Sequence, residues 1–151
     1  MVESPQDRPA VRIVCVDGTG RILLLRWRDP VSERDFWEPP GGGLDPGESP
    51  LAAARRELEE ETGLPGDAVL DLSVPVDRDF HWNGVHYRKV EPFYLARFEG
   101  TVRAAPAAFT AEENETYLGN GWFTAEEIPS LDDVDPPRLL EVLAALMRRQ
   151  R

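Results

Sequence analysis

Between Asp35 and Pro50 the chain carries four prolines and four glycines in sixteen residues. Proline removes backbone donors and glycine resists ordering, so the expectation there is loop with little regular structure. The next residues are the opposite in character. Ser49 can cap a helix, Pro50 suits its first position and Gly63 suits the left-handed residue beyond its end, so the punctuation predicts a helix over 50–62. A glycine-rich approach feeding directly into a sharply bounded helix is the element around which the rest of the chain must be arranged.

On a wheel of 100° per residue, Leu51, Ala54 and Leu58 share one face with Thr62 beside them, and that face packs. Glu57, Glu60 and Glu61 fall on a separate stripe. Like charges at this spacing cost a few tenths of a kcal/mol when exposed, and more in a partly closed cleft. Compensation could come from Arg55, Arg56 or another cation, or from a hard divalent metal, and spacing alone does not decide between them. Taken alone, such a glutamate run is the pattern of a solvated helix face. Its position next to Gly41-Gly42-Gly43, whose backbone can approach an ion or a phosphate unobstructed, makes loop and helix together look like a site.

Charge sharpens the point. The 151 residues hold 28 acids and 17 lysines and arginines, for a formal charge of −11. Residues 42–64 contribute six acids and two arginines (−4), and residues 110–135 contribute eight acids and no base (−8). So acidic a chain repels nucleic-acid phosphates, which argues against a polymeric nucleic-acid partner. It would repel a small phosphorylated substrate too, unless cations lie between. The acidity therefore reads as a local cation site.

The remainder reads as one domain over residues 10–151, preceded by a flexible segment at 1–9. β-type runs at 11–16 and 22–26 around Asp17–Gly20 predict a hairpin, and runs at 69–82 and 85–98 around Asn83-Gly84 predict another. Residues 104–120 read as a mobile loop. Thr124 and Glu127 form a capping-box pattern that opens a short helix, which Pro129 should end. Asp135-Pro136 opens a last helix with Leu139, Val142, Leu143, Leu146 and Met147 on its packing face. The single Cys15 excludes internal disulfides and reads as inert packing, and with no leader or spanning segment in view the expectation is a cytoplasmic protein without membrane contact.

Gly42, five residues, Glu48, seven residues, then Arg56-Glu57-Leu58-Glu59-Glu60-Glu61-Thr62-Gly63-Leu64 resembles the Nudix box, G-x5-E-x7-R-E-U-x-E-E-x-G-U with U apolar, at every fixed position. The flanking Trp37–Gly43, and Trp122-Phe123 with Glu126–Pro129, are also similar to the family. The resemblance implies an α/β (α+β) Nudix fold, a mixed sheet between helices, and metal-dependent hydrolysis of a nucleoside diphosphate linked to another moiety. Carried over residue by residue, it implies that Glu57, Glu60, Glu61 and the Gly42 carbonyl bind Mg²⁺, with Mn²⁺ an alternative. Hard cations take oxygen ligands and activate water for attack on phosphorus. Arg56 and Glu48 would brace the loop and orient Glu57. In the family the general base is a box glutamate, here Glu57 or Glu60, or a carboxylate from a later loop, and among Glu112, Glu113 and Glu115 the expectation falls on Glu115.

For substrate contacts the candidates are aromatics that could stack on a base (Trp27, Phe36, Trp82, Tyr87, Tyr117) and cations that could meet phosphate (Arg26, Arg28, Arg78, Arg88, Lys89). From these, Arg26, Arg28, Phe36, Trp82 and Arg88 are the expected set. The chain lacks the Ser-Gln-Pro-Trp-Pro-Phe-Pro array of NADH-cleaving relatives and the proline 15 or 16 positions beyond the box of many ADP-ribose-cleaving ones, and it has Trp82 where dinucleoside-polyphosphate hydrolases carry tyrosine. Elimination leaves a nucleoside triphosphate or damaged nucleotide as the expected partner; a homodimer is compatible with the resemblance. The alternative is a Nudix-fold module that binds a nucleotide without cleaving it.

Overall fold

The computed structural model describes residues 8–150. Most of the segment expected to be flexible, residues 1–7, lies outside the described residues.

Strands β1 (Ala10–Val16) and β2 (Ile22–Arg28) flank a turn in which the Asp17 carboxylate accepts the Thr19 and Arg21 N–H groups, each at 2.9 Å. The predicted hairpin exists only at its base. The two strands are in register at Val16↔Ile22 and then part. Both are apolar and buried on both faces, so each takes its own neighbours as a central strand. β3 (Asp35–Glu38) and β7 (Tyr117–Phe123) pair antiparallel with β2. β4 (Gly41–Gly43) pairs antiparallel with β1, and β6 (Val85–Arg97) runs parallel to it from Arg12↔Phe93 to Val16↔Arg97. The second predicted hairpin is present at full length, with β5 (Val69–Trp82) against β6 across Asn83-Gly84, both residues at positive φ of 51° and 79°.

Alternation along β1 and β2 divides the core into two layers. Val11, Ile13, Cys15, Leu23 and Leu25 face α1 (Pro50–Thr62), where Ala53, Ala54 and Leu58 meet them. Val14, Val16, Ile22 and Leu24 face α3 (Leu139–Gln150), where Leu139, Val142 and Leu146 close the opposite side. The fold is thus a mixed seven-stranded sheet between helices.

Four further expectations are corrected. The 35–50 stretch is not all loop, because β3 and β4 satisfy the edges of β2 and β1. The glycines of β4 serve close approach: a Cβ on Gly41 would lie 2.1 Å from the Val11 carbonyl oxygen. Residues 104–120 contain α2 (Ala111–Thr116), opened by a reciprocal capping box between Thr110 and Glu113, and the first half of β7. The Thr124–Glu127 box forms its bonds (2.9 and 3.2 Å), yet only a turn and a 3-10 segment, Ile128–Ser130, follow, with Pro129 inside. The last helix begins at Leu139, beyond Pro136 and Pro137. Among the described residues no helix is long and apolar enough to cross a membrane.

Candidate active site

Helix α1 has the predicted ends. Ser49 Oγ accepts the Ala52 N–H at 3.1 Å, and Gly63 takes φ 70° while its N–H donates to the Glu59 carbonyl. With the ends fixed, the rotation of the helix is fixed, and Glu57 and Glu61 are carried inward against β4. Glu61 is 4% exposed and accepts the Gly41 N–H at 2.8 Å. A Cβ on Gly42 would lie 2.6 Å from the Glu57 carboxylate, so only glycine admits this contact. Glu60, one step round the wheel, stays partly in solvent.

Burial and mutual repulsion set the charges. Burial pushes Glu57 up to about 7, with Arg56 and Arg12 opposing and Glu60 adding repulsion. Burial raises Glu61 well above the usual carboxylate range, and Glu57 reinforces the shift against Arg12 and the Gly41 N–H. Arg56 is the local counterweight. Its Nε and Nη2 donate to the two Glu48 oxygens at 2.8 and 2.9 Å, Nη2 also donates to the Gly43 carbonyl at 2.9 Å, and Nη1 reaches Glu57 and Glu60 at 3.0 Å each. Those hydrogen bonds hold Glu48 down to about 2.

An all-oxygen set of Glu57, Glu60, Glu61 and the Gly42 carbonyl has the chemistry of a hard divalent cation site, and two buried carboxylates with raised pKa are what such a cation would relieve. Among the described residues no group of three or more His, Cys, Asp or Glu side chains is drawn together as metal ligands, and Arg56 Nη1 lies 3.0 Å from both Glu57 and Glu60.

A cleft of about 340 Å³ opens beside β4 and Glu61. One wall is aromatic: Phe36 and Trp82 meet edge to face at 5.7 Å, and Phe80 stacks on Tyr87 at 4.9 Å. Arg8, Arg12 and Lys89 bring positive charge, and Glu112, Glu113 and Thr116 of α2 also line it. The Trp27 indole N–H and Arg12 Nε, on two residues that line the cleft, are buried without a hydrogen-bond partner.

Of the residues expected to touch substrate, Phe36 and Trp82 line the cleft and Arg26, Arg28 and Arg88 do not. Side chains alternate along a strand, and each of these arginines is one position from a cleft residue: Trp27 between the first two, Tyr87 and Lys89 around the third. Arg26 lies over the Trp37 ring and Arg28 grips Asp35 at 2.7 and 3.0 Å. Arg88 is 76% exposed beside Asp79. Glu115 is exposed on α2 and does not line the cleft, whereas Glu112 and Glu113 do. Arg12, Phe80, Glu38 and Glu91 went unread in the sequence. Phe80 was within reach, since the Asn83-Gly84 turn sets it opposite Tyr87. Arg12, a single charge inside the apolar run Val-Arg-Ile, signalled a buried partner.

Fold and box together define the class of protein, a Nudix-fold α+β domain. A family profile for the NUDIX domain matches residues 6–146, and the chain belongs to the Nudix hydrolase family. It is similar to an RNA pyrophosphohydrolase of Erythrobacter litoralis, 34% identical over 105 residues covering 63% of this chain and 63% of that protein. The match therefore spans less than two thirds of that relative's length. A MutT NUDIX hydrolase from Burkholderia pseudomallei is 28% identical with a TM-score of 0.59, covering 88% of this chain and 98% of that one. An Ap4A hydrolase of C. elegans superposes with a TM-score of 0.65 at 20% identity, over 92% of this chain and 96% of that one, a likeness of fold.

Proposed function

We propose that this chain is a divalent-metal-dependent pyrophosphohydrolase that cleaves the phosphoric anhydride of a small nucleotide. The observation that carries the reading is the burial of Glu57 and Glu61 against the glycine strand, with Glu61 lining a cleft that also holds four aromatic side chains of β3, β5 and β6 and three cations. A divalent cation, Mg²⁺ or Mn²⁺, held by Glu57, Glu60, Glu61 and the Gly42 carbonyl would supply charge neutralisation on phosphate oxygens and acidity for the attacking water. Arg56 would release Glu57 and Glu60 to it while keeping its grip on Glu48 and the Gly43 carbonyl.

Phe36 and Trp82, with Phe80 and Tyr87, form the surface for a base. Lys89, Arg12 and Arg8 offset the negative field for the phosphates. Glu113 is our choice of general base, since it lines the cleft and raises the pKa of Glu61 by its charge. A nucleoside triphosphate or damaged nucleotide is the leading substrate, and the relatives' names add RNA and Ap4A to the test set. The acidic rim formed by Glu112 and Glu113 favours a compact ligand over a polynucleotide.

The test is product mass from a panel of these nucleotides with Mg²⁺ and Mn²⁺, beside Glu61→Gln. Metal-dependent release of a phosphorylated product by the wild type, lost in the variant, is expected. Equal inactivity of both sinks the enzyme reading, and tight nucleotide binding without turnover would support the non-catalytic module.

A further inference from the structure

The cleft's back wall contains a buried ionic group that the family box does not include. Arg78 on β5 has a fully buried side chain, and Nη1 donates to Glu91 of β6. Its Nη2 lies 3.3 Å from Asp135, in the segment before α3, and 3.6 Å from Glu38 of β3. Nε and Nη2 make no hydrogen bond, so the guanidinium is held on that side by charge and by stacking over the Phe80 ring at 4.6 Å. Arg78 does not line the cleft, but two of its three carboxylate partners do.

Those two partners each hold a cleft cation. Glu38 accepts from Arg12 Nη1 at 3.0 Å, and Glu91 lies 3.4 Å from Lys89 Nζ. Arg12 and Lys89 are themselves fastened to backbone, Arg12 to the Pro39 carbonyl at 3.2 Å and Lys89 to the Arg8 carbonyl at 2.9 Å. The group comprises three cations (Arg12, Arg78, Lys89) and three acids (Glu38, Glu91, Asp135) from β1, β3, β5, β6 and the segment before α3, and is neutral overall. Neutrality depends on Arg78. Without it Glu38, Glu91 and Asp135 are three buried acids around a vacated position, which would draw Arg12 and Lys89 inward.

We infer that Arg78 is a positioning residue for substrate binding: by satisfying Glu38 and Glu91 from behind, it leaves Arg12 and Lys89 at the cleft surface for the phosphates. This rests on the proposed nucleotide substrate. A residue that acts by placing ground-state phosphate contacts should alter KM and leave kcat nearly unchanged.

The experiment compares wild type, Arg78→Gln and Arg78→Lys for steady-state kinetics on the best nucleotide of the panel. Affinity for a non-hydrolysable nucleoside triphosphate is read by calorimetry, and fold by circular dichroism. The expected result is a folded Arg78→Gln with KM and Kd raised ~10-fold or more and kcat within about 2-fold, and an Arg78→Lys that recovers part of the affinity because it restores the charge without the fork. A folded Arg78→Gln with unchanged KM and Kd, or one whose loss lies in kcat alone, overturns the inference. If Arg78→Gln does not fold, Arg78→Lys decides by the same readings, and collapse of both overturns the inference in favour of a purely structural role. A wild type that neither binds nor cleaves any nucleotide removes the functional reading, and this inference with it.

Discussion

Arg56 holds Glu48 in a two-point grip, Nε to Oε2 at 2.8 Å and Nη2 to Oε1 at 2.9 Å, across the seven residues that separate them in the box. The same guanidinium donates to the Gly43 carbonyl, so the grip pins the end of β4 to α1. Glu48→Gln should cost ~1–3 kcal/mol, the range for a charge-assisted bidentate pair that is largely out of solvent, and lower Tm by about 3–10 °C for a chain of this size. Glu48 is held down to about 2, so its contribution is full above the ordinary glutamate range and disappears as pH falls toward that value. Thermal melts of wild type and variant should therefore differ at pH 7 and converge near pH 2.

Glu57 and Glu61 give the opposite sign. Both are raised, so the folded chain binds more protons than the unfolded one, and stability falls as pH rises from the ordinary glutamate value through about 7 and beyond. In EDTA, wild type should lose more Tm between pH 5 and pH 8 than Glu61→Gln does, the comparison removing the general effect of net charge. Millimolar Mg²⁺ or Mn²⁺ at pH 8 should restore the wild-type Tm and leave that of the variant nearly unchanged. Equal pH slopes for the two proteins in EDTA would show that burial of Glu61 carries no such cost.

Adjacent glycines should fail differently. On Gly41 a Cβ meets the Val11 backbone at 2.1 Å, and on Gly42 it meets the Glu57 carboxylate at 2.6 Å. Backbone cannot yield as a side-chain end can. Gly41→Ala should lose ~3 kcal/mol or more, or fail to fold, since the β1–β4 pairing must open. Gly42→Ala should fold with a loss of about 1 kcal/mol and turn over ~100-fold more slowly, because Glu57 is displaced from its place. Tm and kcat measured on both variants separate the two cases.

Lys89 and Arg88 are neighbours on β6 with opposite faces. Lys89→Ala should raise KM by about 10-fold or more, having removed a charged donor from the cleft, and Arg88→Ala should leave kinetics unchanged. Steady-state kinetics on both, with matched melts, checks the assignment. An Arg88→Ala defect equal to that of Lys89→Ala would mean that substrate reaches over the exposed face of the β5–β6 hairpin.

What was legible in the sequence was whatever is fixed within one element. Ser49, Pro50 and Gly63 bound α1 by local hydrogen bonding and φ, and the spacing of the box glutamates followed from the helix pitch. Asn83-Gly84 set the long hairpin by turn chemistry alone. What escaped depended on partners distant in the chain. Gly41–Gly43 reads as loop until β1 is seen to need a neighbour on that edge. Arg28 and Arg88 looked as well placed as Lys89 because composition does not reveal which face of a strand looks into the cleft. Thr110–Glu113 carried the same capping-box pattern as Thr124–Glu127, and it was the first, passed over within an apparently featureless stretch, that opened a helix.

That helix supplies the last test. Glu113 Oε1 accepts the Thr110 N–H at 3.0 Å as half of the capping box, and the residue lines the cleft, while Glu115 is exposed and does not. Glutamine serves a capping box as well as glutamate does, so Glu113→Gln removes the proton acceptor and keeps the helix start. Glu113→Gln should keep its Tm within about 2 °C and lose ~100-fold or more in kcat, within the range for a general base, while Glu115→Gln should retain wild-type turnover. If Glu115→Gln loses the activity and Glu113→Gln keeps it, α2 must turn its other face to the substrate, and the assignment of the base passes to Glu115.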